Sequence, residues 1–305
     1  MSCCNDKSPD YLKALTEKKR DYMAYESAEK LTWCGNCGDY GIQKALERAL
    51  VLEGIQPHET LIGFDVGCHG NGSDKIGTYT IHGLHGRVVS LAAGACLANP
   101  GIKVIAEGGD GGTFSEGINH LVHSLRSNYP MVFILHNNEN YGLTIGQASA
   151  MTRKGQAMNG TPDGVAIEPM NACQFALGLN PTFVARSFSS DVKHMTKVLQ
   201  AALRHNGFAF VEIMQLCPTF NRATSASWFW DRVRYTEDLK GYDKTDLEGA
   251  IKAAKDLETE IMLGVLYQKE RPNFLEMLAS REDRKAPITQ EVRHYDIGSV
   301  LETLK

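Results

Sequence analysis

Glycine clusters that close short apolar runs constrain this chain more than any other feature of its sequence. Many of its 29 glycines fall between Gly35 and Gly146. Residues 60–66 (TLIGFDV) end at Gly67, and residues 103–106 run into Glu107-Gly108-Gly109-Asp110-Gly111-Gly112. Residues 131–135 end in His136-Asn137-Asn138. Runs this short and this apolar suit strands buried on both faces, and glycine is the residue that turns a chain sharply out of a strand. Between them lie stretches with helical spacing: Ile42, Ala45, Leu46, Ala49 and Leu50, a small-residue segment over 88–97, and Ile118, Leu121, Val122 and Leu125 on one face of 114–126. Residues 182–185, a helix over 191–205 and a last strand over 208–214 continue the alternation. Strand, helix, strand at this spacing predicts an α/β fold with a doubly wound, mostly parallel sheet covered by helices on both faces. Three regions follow: a charged helical arm over 1–30, the α/β domain over 31–220, and a helical C-terminal extension over 221–305 rich in aromatic and charged residues (Trp228, Phe229, Trp230, Tyr235).

Composition removes several function classes. Apolar residues make up 43% and the formal net charge is −4, which excludes a disordered chain and a general nucleic-acid binder. No apolar run reaches the roughly 20 residues that a membrane helix needs. The best candidate, residues 88–106, is interrupted by Gly94, Asn99, Pro100, Gly101 and Lys103. The first residues carry no apolar signal-peptide core, so a cytoplasmic protein is expected. Eight cysteines without an export signal then read as ligands or catalytic groups before disulfides.

Two strand ends carry the chemistry. Gly109-Asp110-Gly111 follows one buried strand and Asn138 follows the next, with 26 residues between Gly111 and Asn138, enough for one crossover helix. Both therefore reach the same carboxyl edge, where open α/β sheets bind ligands. Asp and Asn side chains are hard oxygen ligands suited to Mg²⁺, and glycines let backbone N–H groups approach a diphosphate. Cys34 and Cys37 form a CxxC, Cys68 follows the strand that ends at Gly67, and Cys217 precedes Pro218 after the last strand. Four thiolates from these ends suit zinc or a [4Fe–4S] cluster equally. Cys96 and Cys173 lie in helical patterns and read as core residues, while Cys3 and Cys4 have no evident partner.

HGLHGRVVSLAAGACLANPGIKVIAEGGDGGTFSEGINHLVHSLRSN followed by HNNENYGLTIGQAS resembles the β subunit of two-subunit 2-oxoacid:ferredoxin oxidoreductases, over about two thirds of the chain from Trp33 to Arg234. The resemblance implies a thiamine diphosphate-binding fold. It implies Mg²⁺ held by the side chains of Asp110 and Asn138 and the backbone carbonyl of Asn140. Gly109, Gly111, Gly112 and the Tyr141, Gly142, Leu143, Thr144 loop would frame the diphosphate, with Cys68, His69 and Gly70 beside the thiazolium. His85, and after it His82, are the expected imidazole donors to phosphate or substrate, and His69 and His85 are the catalytic candidates. WCGNCGD, GCHG and LCP match the ligands of a [4Fe–4S] cluster at Cys34, Cys37, Cys68 and Cys217.

The implied reaction is coenzyme A-dependent oxidative decarboxylation of a 2-oxoacid, or its reverse, with electrons leaving through the cluster to ferredoxin. The carboxylate that activates thiamine at its aminopyrimidine comes from a second domain in such enzymes, and this chain has room for one. A larger α subunit is therefore expected to supply that Glu and the coenzyme A site, in an α2β2 assembly. GCHGNGSDKIG looks more like 2-oxoglutarate enzymes, with His69, Asn71, Ser73 and Lys75 available to a distal carboxylate. Pyruvate as the acid, a non-oxidative thiamine decarboxylase or carboligase, and a zinc-bound scaffold remain the alternatives. The sequence departs from the family at Gly112, often acidic, and at Glu116, where an apolar residue is expected.

Overall fold

The structure, a computed structural model, describes residues 23–278 and 298–303, so most of the expected N-terminal arm, with Cys3 and Cys4, lies outside the described residues. Among the described residues eight strands form the central sheet: β1 (Thr60–Phe64), β2 (Tyr79–His82), β3 (Lys103–Gly109), β4 (Val132–Asn137), β7 (Phe183–Phe188), β8 (Ala209–Met214), β9 (Val233–Tyr235) and β10 (Ile261–Gln268). Their order across the sheet is β2-β1-β3-β4-β8-β7-β10-β9. Two further strands, β5 (Asn140–Tyr141) and β6 (Gln147–Ala148), form a separate small hairpin. Every pairing from β2 to β7 is parallel; β10 runs antiparallel to β7.

Side chains alternate across the sheet, as period two requires. Ile105, Val132 and Ile134 pack on one face beneath α1 (Asp39–Leu52) and α5 (Val192–Arg204). Val104, Ala106, Phe133 and Leu135 pack on the other, against α2 (Val88–Ala98), α3 (Ile118–Ser127), α4 (Ala172–Leu177) and α7 (Leu247–Ala254). The small residues of α2 allow close approach: a Cβ on Gly63 of β1 would stand 3.2 Å from Val88 and 3.3 Å from Leu91. At α5 the Asp191 side chain accepts the His194 N–H at 3.0 Å, the cap its position predicts. Cys96 and Cys173 are core residues, as expected.

The expectation of a last strand over 208–214 followed by a helical extension is corrected in one respect. The extension does hold helices, α6 (Ala226–Trp230), α7 and α8 (Phe274–Met277), but it also adds β9 and β10 to the same sheet. Under that added edge sits a fully buried ion pair, Arg186 Nε to Glu212 Oε2 at 2.7 Å, and Asn137 Nδ2 donates to the other Glu212 oxygen at 2.8 Å. The last residue of β4 is thus anchored just before the loop that carries Asn138. Among the described residues no helix is long and apolar enough to cross a membrane.

Candidate cofactor and thiol site

The carboxyl ends of four adjacent parallel strands, β1, β3, β4 and β8, deliver most of the expected site residues to one edge of the sheet, while Cys34 and Cys37 precede α1 and His85 follows β2. A cavity of about 470 Å³ opens there, a size that suits a small cofactor. It is lined by Cys68 and His69 after β1, Gly109, Asp110, Gly111 and Gly112 after β3, and Asn138, Asn140, Tyr141, Gly142, Leu143 and Thr144 after β4. Gly111 is required: a Cβ would stand 2.4 Å from the Tyr141 ring, whose hydroxyl donates to the Gly111 carbonyl at 3.2 Å. Asp110 is buried and accepts a short hydrogen bond from the Ser149 hydroxyl. Burial outweighs that bond and raises its carboxyl to about 7. A divalent cation at Asp110 would hold it ionised, so the residue fits a metal ligand.

The loop after β4 is strained. Glu139 and Ile145 have φ of +61° and +73°, a region that costs non-glycine residues about 1–3 kcal/mol each and that clusters at functional sites. Glu139 is held there by Arg153, whose Nη2 lies 3.2 Å from Oε1, and by Asn221 Nδ2 at 3.0 Å. The Asn138 side-chain oxygen accepts the Asn140 N–H at 3.0 Å and keeps a second lone pair.

The histidines divide. His69 is buried against the His136 ring, 5.0 Å between centroids, and burial with neighbouring imidazoles keeps it neutral by lowering its pKa well below the ordinary value. His85 lines the cavity, with Nδ1 2.7 Å from Glu116 Oε1. Gly70 and His82 are the two expected cofactor contacts that the structure does not bring to the cavity wall. His82 ends β2 with Nε2 3.2 Å from the Asp65 carbonyl, and Gly70 is packed against that same pair, with no room for a Cβ. Nor do the residues assigned to a distal carboxylate gather: Lys75 pairs with its neighbour Asp74, and Asn71 lines a second cavity.

That second cavity, about 250 Å³, is lined by Cys34, Cys37, Cys68 and Cys217 together. The four thiols ring a space rather than converge on a point, and among the described residues no group of three or more His, Cys, Asp or Glu is gathered closely enough to hold one metal ion. Burial, with Asp39, Cys217 and Cys34 nearby, pushes the Cys68 thiol up to about 12, and burial with Asp39 raises Cys37 as well. Without a cation these sulfurs stay protonated; iron or another thiophilic metal would hold them as thiolates. Cys68, Asn138, Gly142 and Leu143 line both cavities, so one wall separates them.

Beneath the wall runs a buried polar chain. Cys37 Sγ donates to Asp39 at 3.3 Å, His136 Nδ1 meets Asp39 Oδ1 at 2.9 Å, and His136 Nε2 meets Glu107 Oε2 at 3.0 Å. Burial works against charging His136, but the bonds and charges of Asp39 and Glu107 outweigh it and raise its pKa to about 9. The imidazolium therefore stabilises the fold fully below about pH 6.5, its unfolded value, and loses that contribution as pH rises through about 9. His136→Leu leaves two carboxylates buried together and is expected to cost about 3–5 kcal/mol. Thermal denaturation from pH 6 to 10 checks this: the wild-type advantage in Tm should shrink across that range, and an advantage independent of pH would refute the charged imidazole.

Sequence reasoning missed Asp65, Ser149, Gln147 and the Glu139–Arg153 pair, and it took Glu116 only as a departure. Asp65 is fully buried; its Oδ1 accepts the Val66 and Gly86 N–H groups at 2.8 and 2.7 Å, while Oδ2 fills the space a side chain at position 112 would need, 2.3 Å from a Cβ there. The acidic residue absent at Gly112 is thus answered by a carboxylate arriving from β1.

Residues 65–213 match the family described as thiamine pyrophosphate enzyme, C-terminal TPP binding domain. Fold and site together define a thiamine diphosphate-binding α/β domain. Residues 217–283 match the family of the C-terminal part of the pyruvate ferredoxin oxidoreductase beta subunit. The chain is 34% identical over 272 residues to 2-oxoacid:ferredoxin oxidoreductase 1, subunit beta, of Aeropyrum pernix, covering 86% of each chain. It is 37% identical over 206 residues to the 2-oxoglutarate oxidoreductase subunit KorB of Mycobacterium tuberculosis, covering 68% of this chain and 55% of that one. A solved structure of 2-oxoglutarate:ferredoxin oxidoreductase from Magnetococcus marinus, with 2-oxoglutarate, coenzyme A and succinyl-CoA bound, superposes with a TM-score of 0.83 at 32% identity, covering 93% of this chain and 96% of that one. The chain belongs to the family of 2-oxoacid:ferredoxin oxidoreductase β subunits.

Proposed function

We propose that this β subunit serves coenzyme A-dependent oxidative decarboxylation of 2-oxoglutarate, or its reversal, with Mg²⁺ and thiamine diphosphate in the larger cavity and a [4Fe–4S] cluster at Cys34, Cys37, Cys68 and Cys217. The observation that carries the reading is the shared wall: Cys68 and the Asn138, Gly142, Leu143 loop line both cavities. Adjacent redox and carbon chemistry needs that proximity, whereas a non-oxidative thiamine enzyme has no use for four thiols beside its cofactor. What thiamine diphosphate supplies when bound is an electron sink for a 2-oxoacid that loses CO₂.

The chain's own residues do the holding. Asp110 and Asn138 offer side-chain oxygens to Mg²⁺, with the Asn140 carbonyl as the third ligand, and the loops at Gly109–Gly112 and Tyr141–Thr144 offer backbone N–H groups to a diphosphate. The four cysteines, of which Cys217 is buried and Cys34 exposed, would hold the iron as thiolates, and the hydrogen bonds at Cys37 and Cys217 would tune its potential. Among the described residues only Asp110 and Glu116 bring carboxylates to the lining of the larger cavity. The first is committed to the metal and the second to His85, so the Glu that activates thiamine belongs to the α subunit, as does the coenzyme A site. The choice of 2-oxoglutarate is supported by relatives named for that acid and by the bound 2-oxoglutarate of the Magnetococcus enzyme.

Metal and acid-labile sulfide analysis of protein purified without oxygen tests the reading, with EPR after dithionite reduction. About four iron and four sulfide per chain and a reduced-cluster signal are expected. Zinc without sulfide would remove the electron-transfer half of the proposal.

A further inference from the structure

Glu116 stands where an apolar residue is expected, on the rim of the larger cavity. It reaches that rim because Gly112–Glu116 forms a single π-helical turn before α3, a wider turn that rotates its last residue away from the helix face. Its carboxylate meets His85 Nδ1 at 2.7 Å. Both backbones are held: Arg87 Nη1 donates to the Glu116 carbonyl at 2.9 Å, and Asp65 Oδ1 accepts the Gly86 N–H at 2.7 Å. The two segments also touch through glycines. A Cβ on Gly86 would stand 2.9 Å from the Glu116 Cβ, and one on Gly117 would stand 2.2 Å from the Gly86 carbonyl oxygen. A half-exposed contact between an imidazole and a carboxylate adds at most about 1 kcal/mol to stability, too little to explain such a frame.

We propose that Glu116 is a positioning residue: it accepts the Nδ1–H of His85 and so turns the imidazole Nε2 to the cavity as the group that hydrogen-bonds an anionic oxygen of the bound ligand. The proposal rests on thiamine diphosphate occupying the cavity. A carboxylate on one ring nitrogen fixes both the tautomer and the plane of the imidazole, the arrangement by which histidines are aimed at metals and substrates elsewhere. The oxygen could come from the cofactor diphosphate or from a carboxylate of the 2-oxoacid; the chemistry is the same, and the two are separable.

The test uses the complete α/β complex, measuring the thiamine diphosphate Kd and the 2-oxoglutarate KM and kcat for wild type, His85→Ala, Glu116→Leu, Glu116→Gln and the double variant His85→Ala/Glu116→Leu. Glu116→Leu should weaken one of these constants about ten-fold, as the loss of one charge-assisted hydrogen bond would. A change in Kd identifies the diphosphate; a change in KM alone identifies the substrate carboxylate. Glu116→Gln keeps an acceptor for Nδ1–H and should recover most of the loss. In the His85→Ala background Glu116→Leu should add nothing. Independent, multiplying losses for the two residues would overturn the proposal, as would unchanged constants in Glu116→Leu. A wild-type complex that binds no thiamine diphosphate would instead overturn the reading beneath it, and the proposal with it.

Discussion

Asp110→Ala abolishes binding of Mg²⁺ and thiamine diphosphate while leaving the fold intact: that is the expected result of removing the carboxylate at the centre of the larger cavity. Changes to residues that only support a metal ligand typically cost 10–100-fold in affinity, so loss of the ligand itself should exceed about 100-fold. The isosteric variant Asp110→Asn separates binding from folding. In the metal-free chain, burial raises Asp110 to about 7, so ionising it destabilises the fold: stability falls as pH rises from about 4 and levels off above about 7. Asparagine removes that penalty, on the order of 2–4 kcal/mol above pH 7, while still accepting the Ser149 hydroxyl. At pH 8 without Mg²⁺, Asp110→Asn should therefore melt higher than wild type. With Mg²⁺ and thiamine diphosphate the order should reverse, because only the wild type gains from ligand binding. Calorimetry in both conditions checks the pair of signs, and an Asp110→Asn chain that still gains Tm from the cofactor would refute the assignment.

What the sequence made legible follows from how buried parallel strands look. β1, β3 and β4 have apolar residues on both faces, so they appear as continuous runs, and glycine or asparagine at their carboxyl ends marks the ligand edge directly. The residues that line the larger cavity are almost all local to those ends, whereas the thiol cavity also draws on the segments before α1 and after β8. β2 was invisible because an edge strand with one exposed face reads Tyr-Thr-Ile-His, a polar turn by composition. β10 (IMLGVLYQ) is apolar enough to be seen, but its glycine at φ +116° and the register shift between Val265 and Tyr267 interrupt the alternation, and it follows a segment of helical character. The partners of Glu116 and Asp65 are contacts between segments distant along the chain. A helical reading of 114–126 puts Glu116 on an ordinary helix, and only the π-helical turn carries it to His85. Lys75 shows the opposite error: a cation in a suggestive loop is neutralised by the residue beside it.

The complementary experiment is Cys217→Ser, expected to leave thiamine diphosphate binding within about two-fold of wild type while cutting ferredoxin reduction more than about 100-fold. Cys217 is buried in the thiol cavity, which Asp110 does not line, and its Sγ donates a long hydrogen bond, 3.9 Å, to the Asn140 side-chain oxygen on the cofactor loop. Serine is smaller but keeps an O–H that can donate to the Asn140 side-chain oxygen, and the Asn221 N–H bond to the carbonyl of residue 217 is untouched. What it loses is a soft sulfur ligand, and a hydroxyl is a poor replacement at an iron–sulfur cluster. The two variants should therefore fail in opposite ways: Asp110→Ala keeps iron and its EPR signal but binds no cofactor, whereas Cys217→Ser binds cofactor but shows an altered or absent cluster. Such a double dissociation requires two centres that are separate in their ligands yet joined by one wall at Cys68 and Gly142, where a Cβ on the glycine would already stand 3.0 Å from the Cys68 sulfur. Ferredoxin reduction at the wild-type rate in Cys217→Ser would mean that electrons leave the thiamine site by a route that does not need this thiol, and the thiol cavity would then have only a structural role.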